Sequence, residues 1–147
     1  MIRVSFQEVL PLAQKLLAPY QLESLRGDRD WYRVGSAFLC VSFKDTGTAW
    51  VHWVISERPG WWPEMFRELK RMGADTVEFV TEEGSLVDRA IDYYGADRFV
   101  TDQRYDSGQK IVLRTVDLTE NKRLRPPRVK PPRIKREADD AETDSPS

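Results

Sequence analysis

Few side chains in this sequence are suited to acid–base or nucleophilic chemistry. His52 is the single histidine of the 147 residues, and it lies in an apolar run typical of a strand. Imidazole titrates near neutral pH, so His52 is a candidate general base. A strand histidine that bonds a neighbouring polar group is the simpler interpretation. Cys40 stands between Leu39 and Val41, which predicts a packed thiol rather than a nucleophile.

Two further pairs of adjacent residues invite a functional interpretation. Glu82 and Glu83 could serve as a base, although acids just before a helix also stabilise it through the helix dipole. Trp61 and Trp62 begin a predicted helix, on which neighbouring side chains diverge by about 100°. We therefore expect one indole in the core, while the other, Trp61 in our assignment, is available to a partner.

Composition narrows the class of protein. The chain is 40% hydrophobic and 32% charged, with 23 basic and 24 acidic residues, which fits one domain with a substantial core. One cysteine and one histidine exclude a disulfide framework and a multi-histidine metal centre, so no metal is expected. No apolar run approaches the roughly 20 residues of a membrane span, and the N-terminus lacks a signal-peptide pattern. We expect a soluble protein that is neither secreted nor membrane-bound.

The sequence changes character near residue 119. We assign residues 1–118 to a globular α/β domain and residues 119–147 to an extension that has no aromatic residue. Within the extension, 121–136 is basic and proline-rich, whereas 137–147 is an acidic tip. The basic residues are Lys122, Arg123, Arg125, Arg128, Lys130, Arg133, Lys135 and Arg136.

This basic arm contains a short repeat, PPRVK followed by PPRIK, which favours an extended conformation. It has three interpretations: a solvated linker, a contact with nucleic-acid phosphates, or a peptide that docks on a larger protein assembly. No aromatic residue is present to stack on bases, so any nucleic-acid binding should be independent of sequence. Docking on a protein assembly is the interpretation that we favour.

Hydrophobic periodicity predicts a mixed α/β fold. Strands are expected over 2–4, 31–36, 37–43, 48–55, 76–81, 98–105 and 109–116, with helices beginning near Ser5, Gly60 and Ser85. Pro11 should kink or restart the first helix. The expected architecture is a mixed, mostly antiparallel central sheet with helices on both faces, followed by an extended tail.

This order of elements resembles the Gcn5-related N-acetyltransferase (GNAT) fold, most closely over residues 50–105. The resemblance implies an acetyl-CoA site between the two middle strands, with the pyrophosphate held by a loop of the form Gln/Arg-x-x-Gly-x-Gly/Ala. The matching residues are Arg58, Pro59, Gly60, Trp61, Trp62 and Pro63. Trp61 and Pro63 occupy the two small-residue positions, where indole bulk and a missing amide oppose a cradle of this kind.

The family's second signature also departs from its usual form. Alignment on Gly95 places Ile91 where the family carries the tyrosine that often protonates the departing thiolate. Tyr93 and Tyr94 are close in sequence, but they point elsewhere on the helix. The resemblance therefore implies the shape of the family without its chemistry.

The second signature ends in Gly95-Ala96 and has the aliphatic Ile91 at the tyrosine position. In these features the chain also resembles small GNAT-like proteins of tailed phages, such as the internal virion protein A family. We therefore expect a structural protein without cofactor or catalysis, in a virion or a bacterial cytoplasm. Its arm and Trp61 would bind other virion or assembly proteins. One alternative is a divergent acyl-CoA-dependent N-acyltransferase that uses acetyl-CoA, Tyr93 and His52. A further alternative is an accessory protein that binds nucleic acid nonspecifically.

Overall fold

A computed structural model describes residues 1–124 of the chain. The strands are β1 (Ile2–Val4), β2 (Trp31–Val34), β3 (Ala37–Phe43), β4 (Thr48–Ile55), β5 (Thr76–Glu82), β6 (Asp97–Arg104) and β7 (Lys110–Asp117). The α-helices are α1 (Phe6–Leu16), α2 (Pro19–Glu23), α3 (Trp62–Arg71) and α4 (Leu86–Ala90). Two 3₁₀ helices span Ile91–Tyr94 and Lys122–Leu124.

The seven strands form one sheet in the order β1-β2-β3-β4-β5-β7-β6. Every neighbouring pair is antiparallel except β4 and β5, which are parallel. Helix α3 provides the crossover that a parallel pair requires. The mixed, mostly antiparallel sheet expected from the sequence is confirmed.

Helix α1 runs without interruption through Pro11, so the expectation that this proline restarts the helix is wrong. Proline removes one hydrogen bond, the bond to the carbonyl of Gln7. Both residues lie on the exposed side of the helix, where water can bond that carbonyl. At the helix start, the Ser5 amide donates to the Glu8 carboxylate over 3.3 Å.

Helices cover the two faces of the sheet unequally. On one face, α3, α4 and the following 3₁₀ helix bury a core in which Phe66, Leu69 and Ile91 are 0% exposed. On the other face, α1 packs through Val9 and Ala13 against β2, β3 and the end of β4. No helix among residues 1–124 covers β5, β7 and β6 on that second face, which leaves apolar residues of these strands exposed. None of the helices in this part of the chain is long and apolar enough to cross a bilayer.

A buried ion pair fastens α4 to the sheet. The guanidinium of Arg114 on β7 is 0% exposed and donates from Nη1 to Asp88 Oδ1 over 2.7 Å. Arg98 Nη2 donates to the other oxygen of the Asp88 carboxylate over 2.9 Å. Burial opposes ionisation of Asp88, but the bonds from Arg98, the Gly84 amide and Arg114 outweigh it and lower its pKa to about 2. This ion pair attaches α4 to β7, and Asp88 is the one buried residue of that helix.

The packed part of the chain continues beyond residue 118. Asn121 Nδ2 donates to the carbonyls of Tyr94 and Asp117 over 2.8 and 2.9 Å, and Leu124 is 4% exposed. Leu124 is buried by residues distant in sequence, which composition alone does not indicate. The remaining residues predicted to form the arm and the tip, 125–147, lie outside the described residues. They include Arg125, Arg128, Lys130, Arg133, Lys135 and Arg136.

We predict that Arg114→Met lowers the free energy of unfolding by about 3–5 kcal/mol, because Asp88 stays buried after losing one of its two cations. Urea unfolding at pH 7 measures the change. The matched control is Arg71→Met, which removes an exposed cation from Glu68 and should cost less than about 1 kcal/mol. Equal losses in the two variants would contradict a structural role for the buried pair.

Candidate functional site

The central feature of the candidate site is a cleft between β4 and β5. These strands pair only at Thr48↔Thr76, Ala49↔Val77 and Trp50↔Glu78, and then they separate. Beyond Trp50, the edge of β4 that faces β5 has no strand partner. Backbone amides and carbonyls on such an edge are available to a ligand.

A β-bulge on β4 lies where the strands separate. Cys40 pairs with Trp53 and Val41 pairs with Val51, so His52 is the additional residue. A bulge bends its strand and increases the local twist. The bend directs the second half of β4 away from β5, while β5 stays paired with β7 along its whole length.

His52 is held by polar neighbours at this bulge. Arg29 Nη1 lies 2.8 and 2.7 Å from the two ring nitrogens, and the Ser42 hydroxyl lies 2.7 Å from Nε2. Burial lowers the pKa of His52, and the positive charge of Arg29 lowers it further. The imidazole is therefore neutral at pH 7. It borders the cleft, and its hydrogen-bond partners are Ser42 of β3 and Arg29, which precedes β2.

The cleft encloses a cavity of about 390 Å³ with mostly apolar walls. Val51 and Val54 of β4 line one wall, Phe79 of β5 lines the opposite wall, and Trp61 and Met65 close the side next to α3. A narrow apolar cavity beside free backbone groups suits a flexible chain that carries amide groups.

A second cavity of about 400 Å³ lies between α2 and the turn that joins β6 to β7. Its walls are more polar, and Trp53, Glu82 and Tyr105 line both cavities. We call these three residues the junction. Two cavities that meet at shared residues can bring two substrates together.

The junction contains a carboxylate and a phenol. Glu82 Oε2 accepts a hydrogen bond from the Ser107 hydroxyl over 3.1 Å. Burial raises the pKa of Tyr105, and the negative charge of Glu82 raises it further. Tyr105 therefore keeps its proton at neutral pH, so the junction pairs a proton acceptor with a proton donor.

The start of α3 differs from a phosphate-binding helix N-terminus. Pro63, in the first turn, has no amide to donate, and the carboxylate of Glu64 adds negative charge beside it. Gly60 has a φ of 86° and open space around it, so the backbone there remains accessible. The guanidinium of Arg58 makes no hydrogen bond or ion pair within residues 1–124.

Both indoles at this helix start are partly buried. Trp61 and Trp62 stack edge to face, with ring centroids 5.5 Å apart, and both pack against the α3 core. The sequence predicted one exposed indole, whereas both are partly buried because each ring covers part of the other. Binding of a partner by Trp61 stays a prediction. Trp61 also forms a wall of the cleft.

The other sequence-based candidates lie away from the junction. Tyr93 is 56% exposed and lines neither cavity. The Arg123 guanidinium lies 4.5 Å from its ring centroid and donates to its hydroxyl over 3.3 Å. Arg123 is thus engaged within the domain, whereas Lys122 is exposed in the same 3₁₀ helix. Ile91 is 0% exposed in the core.

Sequence reasoning considered Glu82 but missed Tyr105 and Trp53. Tyr105 precedes a predicted turn and Trp53 stands in an apolar strand, so neither carries a chemical signal in sequence. They meet because β7 lies between β5 and β6, which places the β6–β7 turn beside the end of β5. Within residues 1–124, no cluster of three potential metal-ligating side chains occurs.

Solved structures with similar folds include an acetyltransferase that matches most of this chain. The ribosomal-protein-S18-alanine N-acetyltransferase from Escherichia coli matches with a TM-score of 0.52 and 14% identity, over 74% of this chain and 87% of that chain. This likeness shows that the chain has the GNAT fold.

Two other structures match with lower scores. An acetyltransferase from Bacillus subtilis, in complex with CoA, gives a TM-score of 0.41 and 15% identity over 60% of this chain and 75% of that chain. A putative acyl-CoA N-acyltransferase from Klebsiella pneumoniae gives 0.42 and 13% over 76% of this chain and 86% of that chain. No protein-family profile and no curated protein sequence matches the chain.

We predict that His52→Gln makes stability less sensitive to pH. The pKa of His52 is lowered in the folded state, so the unfolded chain binds more protons and stability falls as the pH drops below about 6.5. His52 is the single histidine, and the carboxylates Glu68 and Asp88, with pKa values of about 2, titrate at lower pH. Between pH 7.5 and 5, thermal unfolding should show a smaller loss of Tm in the variant.

Ser42→Ala is the control for this measurement. It removes a hydrogen bond to the imidazole but keeps the titrating group, so the pH dependence should persist. The same decline in wild type and His52→Gln would show that His52 does not control stability in this range.

Proposed function

We propose that the protein is an acyltransferase, which moves an acyl group from a pantetheine-type thioester to an amine. The observation that supports this most is the apolar cleft between β4 and β5, which meets the second cavity at Glu82 and Tyr105. The donor would lie in the cleft and the amine in the second cavity. Their reacting atoms would then meet at the junction.

The cleft suits the pantetheine arm for two reasons. Val51, Val54 and Phe79 offer apolar contacts to its methylene and methyl groups. The unpaired edge of β4 offers backbone groups to its two amides, in the way that one strand adds to another. Glu82, at the end of β5, is then close to the thioester end of the arm.

Glu82 and Tyr105 would divide the proton transfers between them. The Glu82 carboxylate removes a proton from the amine as its nitrogen bonds to the acyl carbon. As the carbon–sulfur bond breaks, the Tyr105 hydroxyl gives its proton to the departing sulfur. The products are an amide and a free thiol. The raised pKa of Tyr105 keeps it in the form that this step requires.

Coenzyme A, the donor that the fold family implies, fits this site only in part. Bound CoA would supply the thioester through its pantetheine arm. Its diphosphate would lie near the start of α3, where Pro63 has no amide and Glu64 is negatively charged. Arg58 and the open backbone at Gly60 are the remaining groups there that favour an anion. We propose that the pantetheine arm provides most of the affinity.

We predict that Glu82→Gln lowers kcat/KM for acetyl transfer to a primary amine by about 100-fold or more, and that Tyr105→Phe lowers it by at least about 10-fold. A thiol-release assay measures both rates. Glu83→Gln and Tyr93→Phe are matched controls, since neither residue lines either cavity. These controls should retain the wild-type rate.

Two results would contradict the roles assigned at the junction. In the first, both junction variants retain activity. In the second, Tyr93→Phe is as damaging as Tyr105→Phe. A wild-type protein that binds the thioester without transferring the acyl group would refute catalysis but not the binding cleft.

We also predict that acetyl-CoA and S-acetylpantetheine react with kcat/KM values within about 10-fold of each other. A diphosphate held by at least two charge-assisted hydrogen bonds, at about 1.5–3 kcal/mol each, would make the difference about 100-fold or more. Steady-state kinetics with both donors provides the comparison. A large preference for acetyl-CoA would show that the start of α3 does bind the diphosphate, but it would not contradict the roles of Glu82 and Tyr105.

A non-catalytic assembly role is our second proposal, and the same helix start favours it. Trp61 and Pro63 stand where a coenzyme site needs small, amide-bearing residues, and the chain carries the basic arm, residues 121–136. That arm would then bind another protein of an assembly such as a phage particle. Calorimetry that detects no binding of either thioester at millimolar concentration would favour this role over the acyltransferase.

A further inference from the structure

The uncovered side of the sheet carries a continuous apolar row. Val80 of β5 pairs with Leu113 of β7, and Leu113 pairs with Phe99 of β6. Directly paired residues share a face, so the three side chains lie next to one another across three strands. Val80 is 40% exposed and Phe99 is 64% exposed. Exposed apolar groups that are contiguous in this way are typical of an interaction surface.

Carboxylates lie at one end of this row. Glu78 and Asp97 both pair with Thr115, two residues along the strands from the apolar row and on the same face. Asp117 follows on β7, and Asp75, Asp97 and Asp117 line a shallow cavity of about 610 Å³. Lys44 is the cation that pairs with Glu78, over 3.4 Å. We call this surface the open face: Val80, Leu113 and Phe99 with Glu78, Asp97 and Asp117.

The main chain passes the acidic end of the open face. After β7 ends at Asp117, Thr119 lines the same cavity and bonds to the Asp117 carboxylate through its amide and hydroxyl. The next residues pack as the 3₁₀ helix Lys122–Leu124. Leu124 is buried in the α3 core, so the basic segment, residues 125–136, starts on the α3 side and must pass around the sheet to reach the open face.

The basic segment complements this surface in charge and in apolar character. Residues 125–136 contain six cations, no acid and two aliphatic residues, Val129 and Ile134. We propose that residues 125–136 bind the open face of their own chain. The aliphatic side chains would contact the apolar row, while the cations lie beside Glu78, Asp97 and Asp117.

Chain length permits this contact. At about 3.3 Å per residue, twelve residues span up to about 40 Å, whereas three neighbouring strands are only about 10 Å across. Attachment to the domain raises the effective concentration of the segment to about the millimolar range. Even weak apolar and charge interactions then suffice to occupy the surface.

Disulfide trapping in the full chain tests the proposal. Thr115→Cys and Pro131→Cys place one thiol on the open face and one in the segment, without removing an apolar or charged group from the open face or a cation from the segment. The native Cys40 is 0% exposed, and burial raises its pKa to about 11, so it should not compete. Mild oxidation followed by peptide mapping gives the rate of the intrachain disulfide.

Met72→Cys with Pro131→Cys is the matched control. Met72 is 40% exposed at the end of α3, and Lys70, two residues before it, donates to the carbonyl of Thr119 over 3.4 Å. A segment without preference should therefore reach the thiol of the Met72→Cys variant at least as fast as that of Thr115→Cys. We expect the Thr115→Cys thiol to react at least about 10-fold faster, and its advantage to shrink at high NaCl concentration as the charges are screened.

Three results would overturn the proposal. Equal rates for the two variants would show that the segment has no preference for the open face. Disulfides formed mainly between chains would assign the surface to the segment of a second copy. An advantage for the Thr115→Cys variant that survives both high salt and the double change Asp97→Asn and Asp117→Asn would exclude charge complementarity as its cause.

Discussion

The separation of β4 from β5 is the constraint on which the candidate site depends. β5 is fixed by its long antiparallel pairing with β7, and β4 is fixed by β3. The additional residue at His52 bends β4, so the strand cannot remain paired with both of its neighbours. The bonds of His52 to Ser42 and Arg29 stabilise that bend. His52, a candidate base in the sequence, thus also stabilises the strand geometry that opens the cleft.

The two ends of the cleft differ in chemical character. At the junction, the Glu82 carboxylate and the protonated Tyr105 phenol line the same apolar cavity, and the proposed acyl transfer uses both groups. At the start of α3, Pro63 and Glu64 oppose the binding of a diphosphate. Both features are explained if recognition relies on the pantetheine arm rather than on the nucleotide. The GNAT fold allows this, because the cleft arises from strand geometry and not from the phosphate loop.

Unequal helix coverage leaves part of the second face of the sheet exposed. α1 packs over β2 and β3, while β5, β7 and β6 have no helix of residues 1–124 above them on that side. An uncovered sheet would normally be polar, yet Val80 and Phe99 are exposed there. The acidic end of the open face lies where the main chain leaves β7, and the basic segment follows directly in sequence. The open face and residues 125–136 thus complement each other in charge and in apolar composition.

The sequence by itself determined the strands, the main helices and the mixed α/β class, because periodicity and turn residues are local signals. It also indicated the altered loop at residues 58–63 and the basic composition of the arm. Tertiary structure alone decided which side chains meet. The junction joins β4, the end of β5 and the turn after β6, and no local pattern encodes that contact. The same is true of Arg114 and Leu124, whose burial depends on partners far away in the chain.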